Sequence, residues 1–210
     1  MADQSINPQQ RFPLEKEQTP MTPQSLPRRG NRVTHWLAVA VLAVFGWRVI
    51  AHLPSIPKAV LIGAPHTSNW DFLLTVATIY ALGIRLSWMG KHTFVDGFGK
   101  RLWHWLGGIP IDRRASHGIV GELIEAFNGR DQLLLGITPE GTRSGAKQWH
   151  SGFYHIALGA NVPICPVAFD YGRKEVRFLD LFWPTGDKEA DIAYLQNLYK
   201  DVKGKYPHSW

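Results

Sequence analysis

The stretch Ala59-Val60-Leu61-Ile62-Gly63-Ala64-Pro65-His66-Thr67-Ser68-Asn69-Trp70-Asp71 decides the fold. Its first six residues form an unbroken run of small and branched apolar side chains, the pattern of a strand buried on both faces. Pro65 and the polar residues after it end that strand. Trp70–Leu82 then carries the apolar density of a helix, with Ser68 or Asn69 placed to cap it. The same alternation continues outward. Strands are expected over residues 86–89, 109–112, 132–137, 162–169 and 175–179. Helices are expected over 98–106, from a cap at Ser116 to Phe127 with Asn128-Gly129 as its stop, and over 152–158 with Gly159 ending it. Asp187 opens a final helix with Ile192, Leu195, Leu198 and Val202 on one face and Gly204 at its end. Strands alternating with helices predict an α/β fold with a mostly parallel sheet flanked by helices.

The 210 residues suffice for one domain with a real core, and 45% hydrophobic with 19% charged residues fits a folded chain. The net charge of +6 favours an anionic partner: nucleic acid, an acidic membrane surface or a phosphate-bearing substrate. Nine tryptophans lean the choice toward a membrane, because Trp concentrates at the lipid headgroup layer. The Lys and Arg residues are scattered and no nucleic-acid-binding motif is recognised, so nucleic acid is not expected as a partner. A single cysteine, Cys165, allows no intrachain disulfide and no Cys-based zinc site, which fits a cytoplasmic setting. Cys165 follows a β-branched residue inside an apolar strand and reads as core.

Residues 1–31 are polar, rich in Gln and Pro and without an apolar period, and are expected to be a disordered tail closed by Arg28, Arg29 and, just beyond, Arg32. Residues 32–53 are expected to form a membrane-associating apolar helix. The strongest part, from Trp36 to Trp47, is shorter than the roughly 18 residues of a spanning helix. A core helix is the bland alternative. The bracketing by Trp36 and Trp47, with three arginines for anionic headgroups, favours a helix lying in or dipping into the bilayer. The long polar stretch before it and the lack of a small-residue cleavage site argue against a secretory signal. Residues 54–210 form the remaining domain.

The chemistry begins at His66. It follows a strand, at the edge where open α/β sheets bind ligands. Asp71, five residues on, falls in the first turn of the next helix, where the macrodipole favours a carboxylate. Turned back onto the imidazole, Asp71 fixes its tautomer, and His66 can take a proton from an attacking hydroxyl. Taken alone, the pair could equally be a helix cap and a surface histidine. A second motif, Pro139-Glu140-Gly141-Thr142-Arg143-Ser144, follows another strand. It is not a phosphate loop of the Walker type, which needs a Lys before its Ser or Thr. Arg143 can hold a phosphate with its forked donors. Glu140 cannot bind that anion; it suits orienting Arg143, a backbone amide or a substrate hydroxyl. The alternative is a glycine turn with a surface ion pair. Gly108 to Arg114 adds cations after a short strand. No nucleophile elbow, zincin motif or dinucleotide fingerprint is present.

In these residues the chain resembles the glycerolipid acyltransferases, the family of bacterial 1-acyl-glycerol-3-phosphate acyltransferases. His66 to Asp71 is similar to its H-x-x-x-x-D block, and Ile109 to Arg113 to a block ending in Arg. Pro139 to Ser144 is similar to P-E-G-T-R-S, and Val162 to Val167 to V-P-I-x-P-V. The matched region covers about half the chain. The resemblance implies a glycerolipid-acyltransferase-like fold, with residues 54–210 as the acyltransferase domain and an N-terminal membrane-associating helix. It implies His66 as general base with Asp71 its partner, and an acyl-CoA or acyl-carrier-protein thioester as donor co-substrate. No bound cofactor or metal is implied. Arg113 and Arg143 would hold the acceptor's phosphate, with Glu140, Gly141 and Thr142 shaping that pocket. The place implied is the cytoplasmic face of the inner or plasma membrane. Thr138 stands where the family commonly has Phe, and Pro65 where many members have Asn. These departures leave the acceptor open between a lysophospholipid such as 1-acyl-glycerol-3-phosphate and another lyso-lipid such as a lyso-ornithine lipid. An acyl-thioesterase would use the same base on water, and a basic lipid-surface protein would need neither His66 nor Asp71.

Overall fold

The computed structural model describes residues 26–51, 53, 55–91, 101, 107–111, 118–141 and 148–207. The chain runs α1 (Arg32–Val44), β1 (Arg48–Ile50), β2 (Lys58–Ala64), α2 (Trp70–Leu82), β3 (Leu86–Lys91), β4 (Gly108–Ile111), α3 (Gly118–Asn128), β5 (Leu133–Ile137), α4 (Gly152–Gly159), β6 (Ile164–Asp170), β7 (Glu175–Phe178) and α5 (Lys188–Asn197). The strands form one seven-stranded sheet in the order β1-β7-β6-β2-β5-β3-β4. Every pairing is parallel except β6 with β7, which are antiparallel. The expected mostly parallel α/β sheet is therefore present, with β2 between β6 and β5.

The apolar run that opens at Ala59 is buried on both faces because two separate cores meet at the sheet. Val60, Ile62 and Ala64 face a cluster with Leu123 and Phe127 of α3, Phe153 and Ile156 of α4, and Leu195 of α5. Ala59 and Leu61 face the other way, onto a cluster with Leu42 of α1 and Leu74 and Ile79 of α2. This three-layer arrangement needs continuous apolar strands rather than alternating ones, and β2 and β6 supply them. Cys165 lies in β6 at 1% exposure, and burial pushes its thiol up to about 12, consistent with a core residue.

Three expectations need correction. The apolar segment 32–53 is not one helix. Gly46 takes a positive φ of 71° after Phe45, and Trp47 N–H closes back onto Leu42 O, which ends α1. Arg48–Ile50 then leaves as an edge strand paired with β7, tied by Arg48 Nη2 to Glu175 Oε1 at 2.7 Å. Second, the last helix stops at Asn197, with turns carrying the chain through Tyr199 and Val202, which are buried nonetheless. Third, of the two caps expected for α2, Asn69 makes no side-chain cap bond and is itself helical at φ −63°, whereas Ser68 Oγ accepts from Trp70 N–H at 3.1 Å.

Most of the expected polar tail, residues 1–25, lies outside the described residues, as do the helix expected over 98–106, apart from Arg101, and Ser116. Residues 26–31 are built into the fold. Leu26 is buried, Arg29 N–H bonds Gly83 O, and Arg85 N–H bonds Pro27 O. Asn31 caps α1 with a reciprocal Thr34 bond. Arg29 stacks on the Tyr80 ring at 5.5 Å, and Arg28 reaches Leu82 O, so both arginines lean on α2.

Candidate active site

The loop after β2 is pinned from several directions. Its first peptide, Ala64–Pro65, is cis. His66 N–H donates to Glu140 Oε1 at 2.6 Å. Thr67 and Ser68 N–H both donate to Asp71 Oδ2 at 2.9 Å. Thr67 Oγ1 accepts from Tyr206 N–H at 3.3 Å, which brings the chain's last described segment across the loop. Asp71 is the second residue of α2, so its carboxylate meets the positive end of the helix as well as these amides.

With its backbone so held, His66 lies with Nδ1 3.0 Å from Asp71 Oδ2. Asp71 is 1% exposed and the His66 side chain 13%. A buried carboxylate this close to Nδ1 favours a proton on that nitrogen, which leaves Nε2, on the opposite edge of the ring, as the basic one. The other carboxylate oxygen, Oδ1, accepts from Tyr171 Oη at 2.5 Å. Tyr171 follows β6, the parallel neighbour of β2, so the two strand ends converge on one carboxylate. Burial first, and then the Asp71 carboxylate, push the Tyr171 phenol far up, so it stays a donor at every working pH.

The sequence places His66 and Asp71 together, and so does the structure. Glu140 is 0% exposed, and its Oε1 accepts from the His66 N–H, which matches the backbone-orienting reading among those open at the sequence level. Gly141 turns the chain at φ +65°, and a Cβ there would lie 2.6 Å from His150 Cδ2. Only glycine fits that combination of conformation and contact. Arg113, Thr142 and Arg143 lie outside the described residues. Tyr171 is the site residue sequence reasoning missed. Its one signal is its place at the end of a predicted strand, on the same edge as His66.

Beside the pair, a cavity of about 290 Å³ opens between α2 and the sheet. It runs past His66 and Asp71 and is walled by Leu61, Val76, Ile79, Met89 and Phe178, with Arg29 also on its wall. Its floor includes Gly63 of β2 and Gly136 of β5. Both glycines lie on the sheet face that packs under α2, where a Cβ would lie 2.8 Å from Phe169 Cε2 at Gly63 and 3.0 Å from Leu86 Cδ2 at Gly136. Among the described residues no group of three His, Cys, Asp or Glu is placed to hold a metal ion.

Residues 48–170 match the model of the acyltransferase family. The chain is 30% identical over 148 residues to the 1-acyl-sn-glycerol-3-phosphate acyltransferase of Haemophilus influenzae, covering 64% of this chain and 58% of that one. It is 30% identical over 136 residues to the Escherichia coli protein described in the same words, covering 59% and 53%. The matched part thus spans little more than half the length of these relatives. The crystal structure of the 1-acyl-sn-glycerophosphate acyltransferase of Thermotoga maritima is similar with a TM-score of 0.55 at 17% identity, covering 80% of this chain and 76% of that one. At that identity the likeness concerns the fold.

Proposed function

The chain belongs to the acyltransferase family, and from that premise we propose that it moves a fatty acyl chain from an acyl-CoA or acyl-carrier-protein thioester to the hydroxyl of a lysophospholipid such as 1-acyl-glycerol-3-phosphate. The observation that carries this reading is the His66–Asp71 pair, 3.0 Å apart, at the mouth of an apolar cavity. His66 Nε2 takes the proton of the acceptor hydroxyl as its oxygen attacks the thioester carbonyl carbon. Asp71 stabilises the imidazolium that forms. The tetrahedral intermediate collapses with loss of the C–S bond, and the thiolate recovers the proton from His66. The new ester and the free thiol are the products, and no acyl-enzyme is needed. The cavity under α2 suits the hydrocarbon chain, since Leu61, Val76, Ile79, Met89, Val167 and Phe178 make most of its wall apolar. Arg113, Thr142 and Arg143 are assigned the acceptor phosphate on their sequence pattern and chemistry.

The same reading places the protein on the cytoplasmic surface of a membrane. Among the described residues no helix is long and apolar enough to cross one. α1 has 13 residues, about 20 Å at 1.5 Å each, against a hydrocarbon core of about 30 Å. Its outward face nevertheless exposes Val33, Trp36, Leu37, Val41 and Val44, and α2 adds Trp70, Phe72 and Leu73. An apolar groove between the two helices carries Lys174 and Lys205 on its rim. Apolar faces edged by cations suit a helix pair resting in the headgroup layer.

Two experiments test this. Purified protein is given labelled acyl-CoA and labelled acyl carrier protein separately, with a panel of lysolipids. Acceptor-dependent ester formation supports the reading and names donor and acceptor; thioester cleavage that ignores the acceptor replaces it with a hydrolase. For the membrane, the Leu37→Glu/Val41→Glu variant is sedimented with phosphatidylglycerol/phosphatidylethanolamine vesicles. Wild type should pellet with them and the variant should stay in solution; equal pelleting removes this face from the account.

A further inference from the structure

The Asp71 carboxylate has two oxygens with different duties. Oδ2 accepts from Thr67 and Ser68 N–H and lies on His66 Nδ1. Oδ1 accepts from Tyr171 Oη at 2.5 Å, a contact across 100 residues of sequence. A hydroxyl donating to an ionised carboxylate makes a short, strong bond that draws negative charge toward itself. The rest of the Tyr171 ring is braced rather than loose: it meets Trp47 edge-on, with centroids 4.9 Å apart and planes at 87°.

We propose that Tyr171 is a positioning residue of the His66–Asp71 pair: its hydroxyl anchors Oδ1, holds Oδ2 on His66, and draws part of the carboxylate's charge away from the imidazole. This rests on the reading of His66 as general base. Among the described residues, the groups that bear on the imidazole include Asp71 from α2, Glu140 from the loop after β5, reached through the His66 amide, and Tyr171 after β6, with Tyr206 of the last segment acting on Tyr171. Tyr171 is, among the described residues, the neutral donor at Asp71 Oδ1, whereas the Thr67 and Ser68 amides donate to Oδ2.

Tyr171→Phe keeps the ring and removes the donor. Asp71 then presents more of its charge to the imidazolium, and the His66 midpoint rises. His66 spends more of its time protonated at neutral pH. In a transfer assay, kcat at neutral pH falls, by at most about tenfold for each unit of upward shift, KM for both substrates holds, and activity returns as the pH is raised. A merely structural role for the ring predicts none of this pattern.

The decisive measurement is an NMR titration of the His66 imidazole in ¹⁵N-histidine-labelled protein, which needs no turnover. The proposal predicts an upward shift in Tyr171→Phe, none in Trp47→Phe, which keeps the hydroxyl, and none when Tyr171→Phe is placed on Asp71→Asn. A midpoint that stays put or falls in Tyr171→Phe overturns it, as does an upward shift that persists on Asp71→Asn. Should Tyr171→Phe not fold, the wild-type Tyr171 hydroxyl proton carries the test: its resonance must move as His66 titrates, and a resonance blind to that titration overturns the proposal. Wild type without acyl transfer but with the shift leaves the coupling standing and removes the proposed function; transfer without the shift does the reverse.

Discussion

Asp71→Asn tests the pair most sharply, because the structure dictates how the amide must sit. Two backbone N–H groups, of Thr67 and Ser68, point at the Oδ2 position from 2.9 Å. The Asn carbonyl oxygen must take that place, and its NH₂ then faces Tyr171, whose hydroxyl can turn to accept. His66 Nδ1 therefore still meets an acceptor and keeps its tautomer, but it loses the charge. At 3.0 Å an imidazolium–carboxylate pair is worth about 5.5 kcal/mol at an effective dielectric near 20. A neutral hydrogen bond of about 1 kcal/mol remains, and the exposed edge of the ring lets water screen part of the rest. A loss of about 3–4 kcal/mol of transition-state stabilisation follows, a fall of about 10²–10³-fold in kcat/KM. Two charge-assisted backbone bonds become neutral at about 1 kcal/mol each, so Tm should drop by no more than about 8 °C. Steady-state transfer kinetics and a thermal melt on the same preparation check both numbers. A folded variant that retains kcat/KM within threefold of wild type refutes the proposed role of the carboxylate.

Other outcomes are equally specific. Gly141→Ala places a Cβ at φ +65° and 2.6 Å from His150 Cδ2; the left-handed conformation alone costs about 1–2 kcal/mol, and Tm should fall by about 2–8 °C in a melt, whereas an unchanged melt would mean that the turn is relaxed. Val76→Phe narrows the cavity under α2, and donors whose chains no longer fit should lose about 10–200-fold per excluded methylene. A chain-length series of thioesters reads this, and an unaltered preference would move the acyl chain elsewhere. Burial acts to raise the Asp170 carboxyl, but hydrogen bonds from Arg173 outweigh it and hold the group below its ordinary value. A depressed folded value means that Asp170 adds stability above the unfolded carboxyl range and loses it as pH falls below about 4. Melting curves of wild type and Asp170→Asn should therefore separate at neutral pH and converge in acid, and a constant separation would assign the effect to packing.

The β2–loop–α2 unit is legible in sequence because each part has its own physical signature. A strand covered on both faces must be apolar throughout, and a catalytic loop must then be polar. The limits of legibility are also physical. The end of α1 was hidden because hydrophobicity runs through Phe45, Trp47 and Val49 while the backbone turns at Gly46. β1 has only three residues, and its partner Glu175 lies 127 positions on, so no local pattern announces it. Glu140 was visible as a motif residue, but the direction of its carboxylate depends on β2 and β5 being neighbours, a fact of the sheet and not of the motif. Tyr171 was silent for the same reason, since only the pairing of β6 with β2 brings it to Asp71.

The central claim is that His66 is the base of an acyl transfer. Its most direct test is the rate of acceptor-dependent ester formation from a labelled thioester by wild type and by His66→Ala, both shown to be folded by their melts. The account predicts transfer by wild type and a loss of at least about 10²-fold in the variant. Equal transfer by both would contradict it.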